Sequence, residues 1–219
     1  MRGLERAAYF SFLAFVAVLQ VSIFASEVLL AVTALLWIAL VVTGRERIEC
    51  PPMFWPLLAY AGWTLLAAAF SVDSRESLID CKQLLLFSIV PIAYRLLPGR
   101  RALTVVDVII TVGAISAVYG IVQFGILKFD SIEHRPKGAL GMYMTYSGQL
   151  MLVACTAAAR ILFRQNDRIW ASLVMPAIIV ALAATLSRNA WVGACAGIGL
   201  LLLIRDFRLI ALLPVAAAV

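Results

Sequence analysis

Ala184-Thr185-Leu186-Ser187-Arg188-Asn189-Ala190-Trp191 stands between two apolar runs, roughly 170–186 and 190–204. Each run approaches the ~20 residues that a helix needs to cross a hydrocarbon core of ~30 Å. The tripeptide between them leaves room for a turn and little else. The stretch therefore reads as a transmembrane helical hairpin with one cation, Arg188, at its tip. Drawing such a cation into the hydrocarbon costs about 2.5–3.5 kcal/mol on insertion scales. An ionisable residue held there marks a candidate anion site; the plainer alternative is an arginine snorkelling to headgroups. Trp191 suits an interfacial belt under either reading.

Outward from this hairpin, the same alternation of apolar run and short polar break fills the chain. Of its 219 residues, 64% are hydrophobic and 14% charged, and the mean hydropathy is +1.01. Soluble domains sit near 45–50% apolar and about 25% charged. The expectation is an all-α, polytopic transmembrane helical bundle. About nine spans are predicted, at 7–25, 28–43, 53–70, 83–97, 103–127, 141–162, 169–186, 190–204 and 209–219. The ninth falls below the usual minimum of ~17 residues, so 1–219 reads as one transmembrane domain incomplete at its C-terminus. Long unbroken apolar runs exclude an outer-membrane barrel, whose strands alternate over ~10 residues. The first run has the look of a signal peptide, but a second begins at Val28, so it is read as a retained helix.

The net charge of +6 would suggest nucleic acid in a soluble protein; here it follows from loop placement, and no nucleic-acid partner is expected. Twelve of the 18 Lys and Arg fall in alternate loops around Arg2, Arg45, Arg100, Arg164 and Arg205. The other six are Arg75, Lys82, Lys128, Arg135, Lys137 and Arg188. The positive-inside rule then predicts a cytoplasmic N-terminus and external loops near 71–82, 128–140 and 187–189. The six outward cations do not serve insertion. Arg135, Lys137 and Arg188 flank spans six to eight and are expected to converge on an anion, where an arginine fork suits diphosphate oxygens.

His134-Arg135-Pro136-Lys137-Gly138 precedes span six, and its Pro and Gly mark a turn. A solvated turn is the bland reading of those charges. Beyond it, Tyr143, Tyr146 and Ser147 fall at i, i+3 and i+4 on one helix face, facing a polar ligand or hydrogen-bonding a neighbouring helix. Asn189 adds an amide beside Arg188. The stretch 71–82 is amphipathic, a short surface helix or a solvated loop, with Lys82 a further candidate for the anion site. Asp107, near Arg100 and Arg101, is expected in a salt-bridged helix end. Gly193-x-x-x-Gly197 is a small-residue stripe for close helix packing. Cys50, Cys81, Cys155 and Cys195 are scattered and pair with no metal-like spacing. No nucleotide or metal motif is present, and no cofactor is expected.

Arg135-Pro136-Lys137-Gly138 with the polar helix start 141–149, and Leu186-Ser187-Arg188-Asn189-Ala190-Trp191 opening a Gly/Ala-rich span, resemble the O-antigen ligase and O-antigen polymerase family of bacterial envelope glycan enzymes. The resemblance covers the whole chain in hydropathy and is specific at those two motifs. It implies a metal-independent glycosyltransferase of lipopolysaccharide or polysaccharide biosynthesis, in the bacterial inner membrane. That enzyme moves a glycan from an undecaprenyl-diphosphate donor to lipid A core, a repeat unit or a protein on the periplasmic face. Arg135 and Arg188 would be its catalytic pair on the diphosphate, with Lys137, Tyr143, Tyr146, Ser147, Asn189 and Lys82 around the substrate. The family's external loop carrying a basic His nearer the C-terminus has no counterpart in this sequence, and His134 does not match its position. The expectation is an N-terminal portion carrying donor-side arginines without the base, inactive by itself. A diphosphate leaves readily once its charge is neutralised, which two arginines accomplish without metal.

The competing reading is a membrane transporter or lipid flippase fragment with an outward anion-binding pocket. Transporters gather charges at the midplane in broken helices and show internal repeats; this chain places its candidate charges at one face and shows no repeat. A third reading is a structural protein whose outward patch meets anionic headgroups. Expected partners are a lipid-linked glycan donor, a glycan or lipid acceptor, and membrane lipids.

Overall fold

The structure, a computed structural model, describes residues 2–44, 49–129, 131, 134–163 and 168–205. Among them there is no strand. Nine α-helices follow one another: α1 Arg2–Val18, α2 Ile23–Val42, α3 Phe54–Ala69, α4 Ser74–Asp80, α5 Ile89–Leu96, α6 Arg100–Gly125, α7 Tyr143–Phe163, α8 Ile169–Ala184 and α9 Arg188–Arg205. A 3₁₀ helix, Cys81–Ser88, joins α4 to α5, and a short one, Gly138–Leu140, precedes α7. Apart from their end turns, helices satisfy their backbone groups within the segment, which is what an apolar solvent demands.

Five helical segments are long and apolar enough to cross a membrane: Ile23–Val42, Ser74–Leu96, Arg100–Gly125, Tyr143–Phe163 and Arg188–Arg205. The nine expected spans are thus not what the described residues hold. α3 and α8 are apolar but only 16 residues long, about four short of the usual crossing length. The 209–219 segment lies outside the described residues, as do Arg45, Arg164 and Arg208.

Two boundaries move for identifiable reasons. The expected break at Ser26–Glu27 lies instead at Leu19–Ser22. There the Gln149 amide donates to the Leu19 carbonyl at 3.0 Å and Gln20 donates to the Ile109 carbonyl at 3.1 Å. Ser26 sits inside α2 with its hydroxyl turned back on the Ile23 carbonyl at 2.7 Å. The expected external loop 71–82 is mostly helical: Asp73 caps α4 by accepting from the Glu76 N–H at 3.3 Å, as an N-cap carboxylate does. The helix then runs through the 3₁₀ segment into α5, so Arg75 and Lys82 belong to a 23-residue helical run.

The chain groups into two compact units, 1–12 with 28–103, and 13–27 with 104–219, where hydropathy suggests one domain. In the first, Thr33 is fully buried and donates to Ser11 Oγ at 2.9 Å, tying α1 to α2. Such hydroxyl pairs hold helices together where lipid removes the hydrophobic drive. Trp55 and Trp63 of α3 are 68% and 74% exposed, the expected state of side chains that face lipid.

In the second unit α7 is central. Ala154, Ala157, Leu150 and Val153 of α7 pack with Ile110, Ala114 and Ala117 of α6, Val174, Ile178 and Ala181 of α8, and Ala190 and Ala194 of α9 in one buried cluster. Glycines set the closeness. A Cβ on Gly113 would fall 2.5 Å from Val153, and one on Gly120 would fall 1.9 Å from the Tyr146 oxygen. The two pairs run in opposite senses, so α6 and α7 are antiparallel. Across the next interface, Gly193 abuts Met151 and Gly197 abuts Cys155. Those pairs advance together, so α9 runs parallel to α7. The Gly193-x-x-x-Gly197 stripe therefore packs as expected.

Asp107 continues the α6–α7 ladder, but not with Arg100 or Arg101. Arg160 Nη2 lies 3.1 Å from its Oδ1. Arg160, counted in the sequence as a loop charge, is buried in α7. A carboxylate facing it offsets part of the cost of burying that cation.

Candidate functional site

Since α7 and α9 run parallel, their N-terminal ends meet at one level. Between them opens a cleft of about 900 Å³ lined by Arg135, Tyr143, Ser147, Arg188 and Asn189. Met144, Met151, Leu186 and Trp191 make its apolar part. Two aligned helix starts direct unsatisfied N–H groups and positive dipole ends the same way, a setting that favours anions.

The turn that carries Arg188 is tightly held. Leu186 takes φ +51°, a left-handed conformation costly for a side chain with a Cβ. Behind it the Leu182 carbonyl accepts from Thr185 Oγ1 at 2.7 Å, and Thr185 is fully buried. Trp191 Nε1 donates to the same carbonyl at 3.0 Å. Arg188 then opens α9 as an exposed residue. Among the described residues, no hydrogen bond or ion pair engages its side chain. A backbone strained but pinned at a ligand-facing position is a common feature of binding sites.

Arg135 reaches the cleft from the loop between α6 and α7. It is half-buried, and its Cζ lies 4.8 Å from the centre of the Tyr143 ring, a cation–π contact that orients the guanidinium. The loop itself is gripped by Gln123 of α6. Gln123 Oε1 accepts from the N–H groups of Lys137 and Gly138 at 3.0 and 2.9 Å, and its Nε2 donates to the Gly138 carbonyl at 3.3 Å. Gly138 is required at that point: its φ is +60°, and a Cβ would sit 2.4 Å from the Tyr146 ring.

The expected site residues divide accordingly. Arg135, Tyr143, Ser147, Arg188 and Asn189 share the cleft. Ser147 is buried, and its hydroxyl donates to the Met144 carbonyl at 3.0 Å. Tyr146 is a packing residue instead, 1% exposed, its hydroxyl donating to the Ser116 carbonyl at 2.9 Å. Lys137 is exposed and contributes its backbone to Gln123, not its ammonium to the cleft. Lys82 lies in the first unit and is not among the lining residues. His134 is exposed, its N–H donating to Ser131 Oγ at 3.1 Å.

Sequence reasoning missed Gln123, a lone amide within an apolar run. The signal available was that polarity: an amide buried in a membrane helix needs partners. No protein family, curated protein or solved structure matches the chain.

Proposed function

We propose that this chain carries the donor site of a membrane glycosyltransferase. The site binds an undecaprenyl-diphosphate-linked glycan on the periplasmic face of a bacterial inner membrane and releases the diphosphate as the glycan passes to an acceptor. The observation that carries the reading is the pair of arginines, 53 residues apart in sequence, lining one cleft at the starts of two parallel helices. A diphosphate in transfer accumulates charge on its oxygens, and two guanidiniums beside helix N-termini neutralise it without a metal. Tyr143 orients Arg135, Asn189 offers an amide to a sugar or phosphate, and the Ser147 oxygen, its proton given to Met144, is left to accept from a sugar hydroxyl. The Met-rich part of the cleft suits the first isoprene units, since Met fills irregular apolar space.

The test is transfer of lipid-linked glycan in cells carrying Arg135→Ala or Arg188→Ala at normal membrane abundance. Loss of transfer in both supports the donor site. Normal transfer in either removes that arginine from it.

A further inference from the structure

The first unit holds a second cavity, of about 940 Å³, on different residues. Its walls are the first turn of α1, the end of α5, the Pro98–Gly99 turn and the first turn of α6. Among the described residues, four charges line it, and they are arranged as two pairs. Arg101 Nη1 meets Glu5 Oε1 at 2.7 Å, and Arg95 Nη1 meets Glu49 Oε2 at 2.8 Å. Arg101 is further ordered by the Tyr9 ring, 5.1 Å from its Cζ, and by the Leu96 carbonyl at 3.4 Å. Met53, Ile89, Val90 and Leu97 supply an apolar wall beside these charges.

We propose that this cavity binds a phospholipid whose zwitterionic headgroup carries a primary ammonium, the phosphoethanolamine type. Two guanidiniums and two carboxylates sum to no net charge. An anionic headgroup drawn to the arginines would be repelled by the glutamates, and a cation the reverse. A zwitterion satisfies both signs together: its phosphate takes an arginine fork, and its ammonium donates to a carboxylate. Partly exposed ion pairs contribute little to folding, so exchanging one for the lipid's phosphate and ammonium costs little. Arg101 is already ordered, which lowers the entropy lost on binding. The cavity lies where the candidate span Ser74–Leu96 ends and Arg100–Gly125 begins, and the ends of a spanning helix are the level at which headgroups surround it. A choline headgroup bears the same charges but no N–H donor, so it binds less well.

The experiment is native mass spectrometry of the full chain in detergent with equimolar phosphatidylethanolamine, phosphatidylcholine and phosphatidylglycerol of identical acyl chains. The expected result is retention of phosphatidylethanolamine about tenfold over phosphatidylcholine, the discrimination of one charge-assisted hydrogen bond. The double variants E5Q/R101Q and E49Q/R95Q each remove both charges of one ion pair, and at least one should bring the ratio close to one. Arg75→Gln, on α4, should leave it unchanged. Equal retention of the two zwitterions overturns the proposal, as does a preference for phosphatidylglycerol or a ratio unaffected by both double variants. Competition by soluble glycerophosphoethanolamine as strong as by the lipid would also overturn it, since the ligand would then be a free phosphate ester. The wild-type comparison decides even where a variant fails to fold.

Discussion

Trp191 Nε1 donates to the Leu182 carbonyl across the α8–α9 turn at 3.0 Å. The last carbonyls of a helix have no partner within it. Leu182 finds two side-chain donors, Thr185 from its own helix end and Trp191 from the next helix. Arg188 is thus projected from a turn fastened on both sides.

Trp191→Phe keeps an aromatic side chain, smaller than indole, and deletes that donor. Interhelical hydrogen bonds in membranes average about 0.6 kcal/mol and reach about 1.7, so the variant should melt slightly lower in detergent. Glycan transfer should fall by a larger factor than stability does, because the turn carrying Arg188 is loosened. An unchanged melting point together with unchanged transfer would show that the bond does not hold the turn.

Arg188→Lys separates an anion-binding fork from an interfacial anchor. A lysine cannot reproduce bidentate contact with a diphosphate. Loss of one preorganised donor should cost about 2.7–4 kcal/mol, or roughly 10²–10³ in rate. Transfer of lipid-linked glycan in cells is the measurement. Near-normal transfer by the lysine variant would make Arg188 a snorkelling anchor and defeat the proposed function.

Gln123→Leu has a structural cost first. It leaves the Lys137 and Gly138 N–H groups without their acceptor, and each stranded buried donor costs about 1–3 kcal/mol. Thermal melting should register the loss. Transfer should fall as well, since the loop that brings Arg135 to Tyr143 is released. A variant as stable as wild type would mean that water replaces the amide there.

Tyr146→Phe and Gly138→Ala test one contact from opposite sides. The first removes a hydrogen bond to Ser116 and should lower stability by about 0.6 kcal/mol, with transfer retained because Tyr146 does not line the cleft. The second forces a Cβ into the Tyr146 ring at a left-handed backbone position, at a cost of about 1–3 kcal/mol. Strong loss of transfer in a well-folded Tyr146→Phe protein would return that hydroxyl to the site.

Cysteines substituted at Arg135 and Arg188, in a background lacking Cys50, Cys81, Cys155 and Cys195, should be labelled from the same side of the membrane. The charge bias predicts the outer side, with a cysteine at Arg100 labelled from the cytoplasm. Labelling Arg135 and Arg188 from opposite sides would dissolve the shared cleft. Labelling both from the cytoplasm would invert the topology and remove the periplasmic reaction.

By itself the sequence determined that this chain is helical and apolar enough for a membrane, because runs of apolar residues must satisfy their backbone within each segment. It also determined the hairpin around Arg188, which follows from residues adjacent in the chain, and marked Gly193 and Gly197 as a small-residue stripe without naming the helix they meet. Five cleft residues were legible there, as polar groups at two helix starts and in the loop before one of them. The tertiary structure alone decided which polar group serves which purpose. Tyr146 and Ser147 are neighbours in sequence, yet one packs against Gly120 and Gly138 while the other lines the cleft. Arg160 looked like a loop charge until α6 brought Asp107 against it, and 71–82, readable as a short surface helix or a solvated loop, proved helical from Ser74 onward and continuous with α5. Helical phase and neighbour choice arise from contacts between residues far apart in the chain. The parallel run of α7 and α9, which brings Arg135 and Arg188 to one cleft, is such a contact: glycines of one helix against side chains of the other.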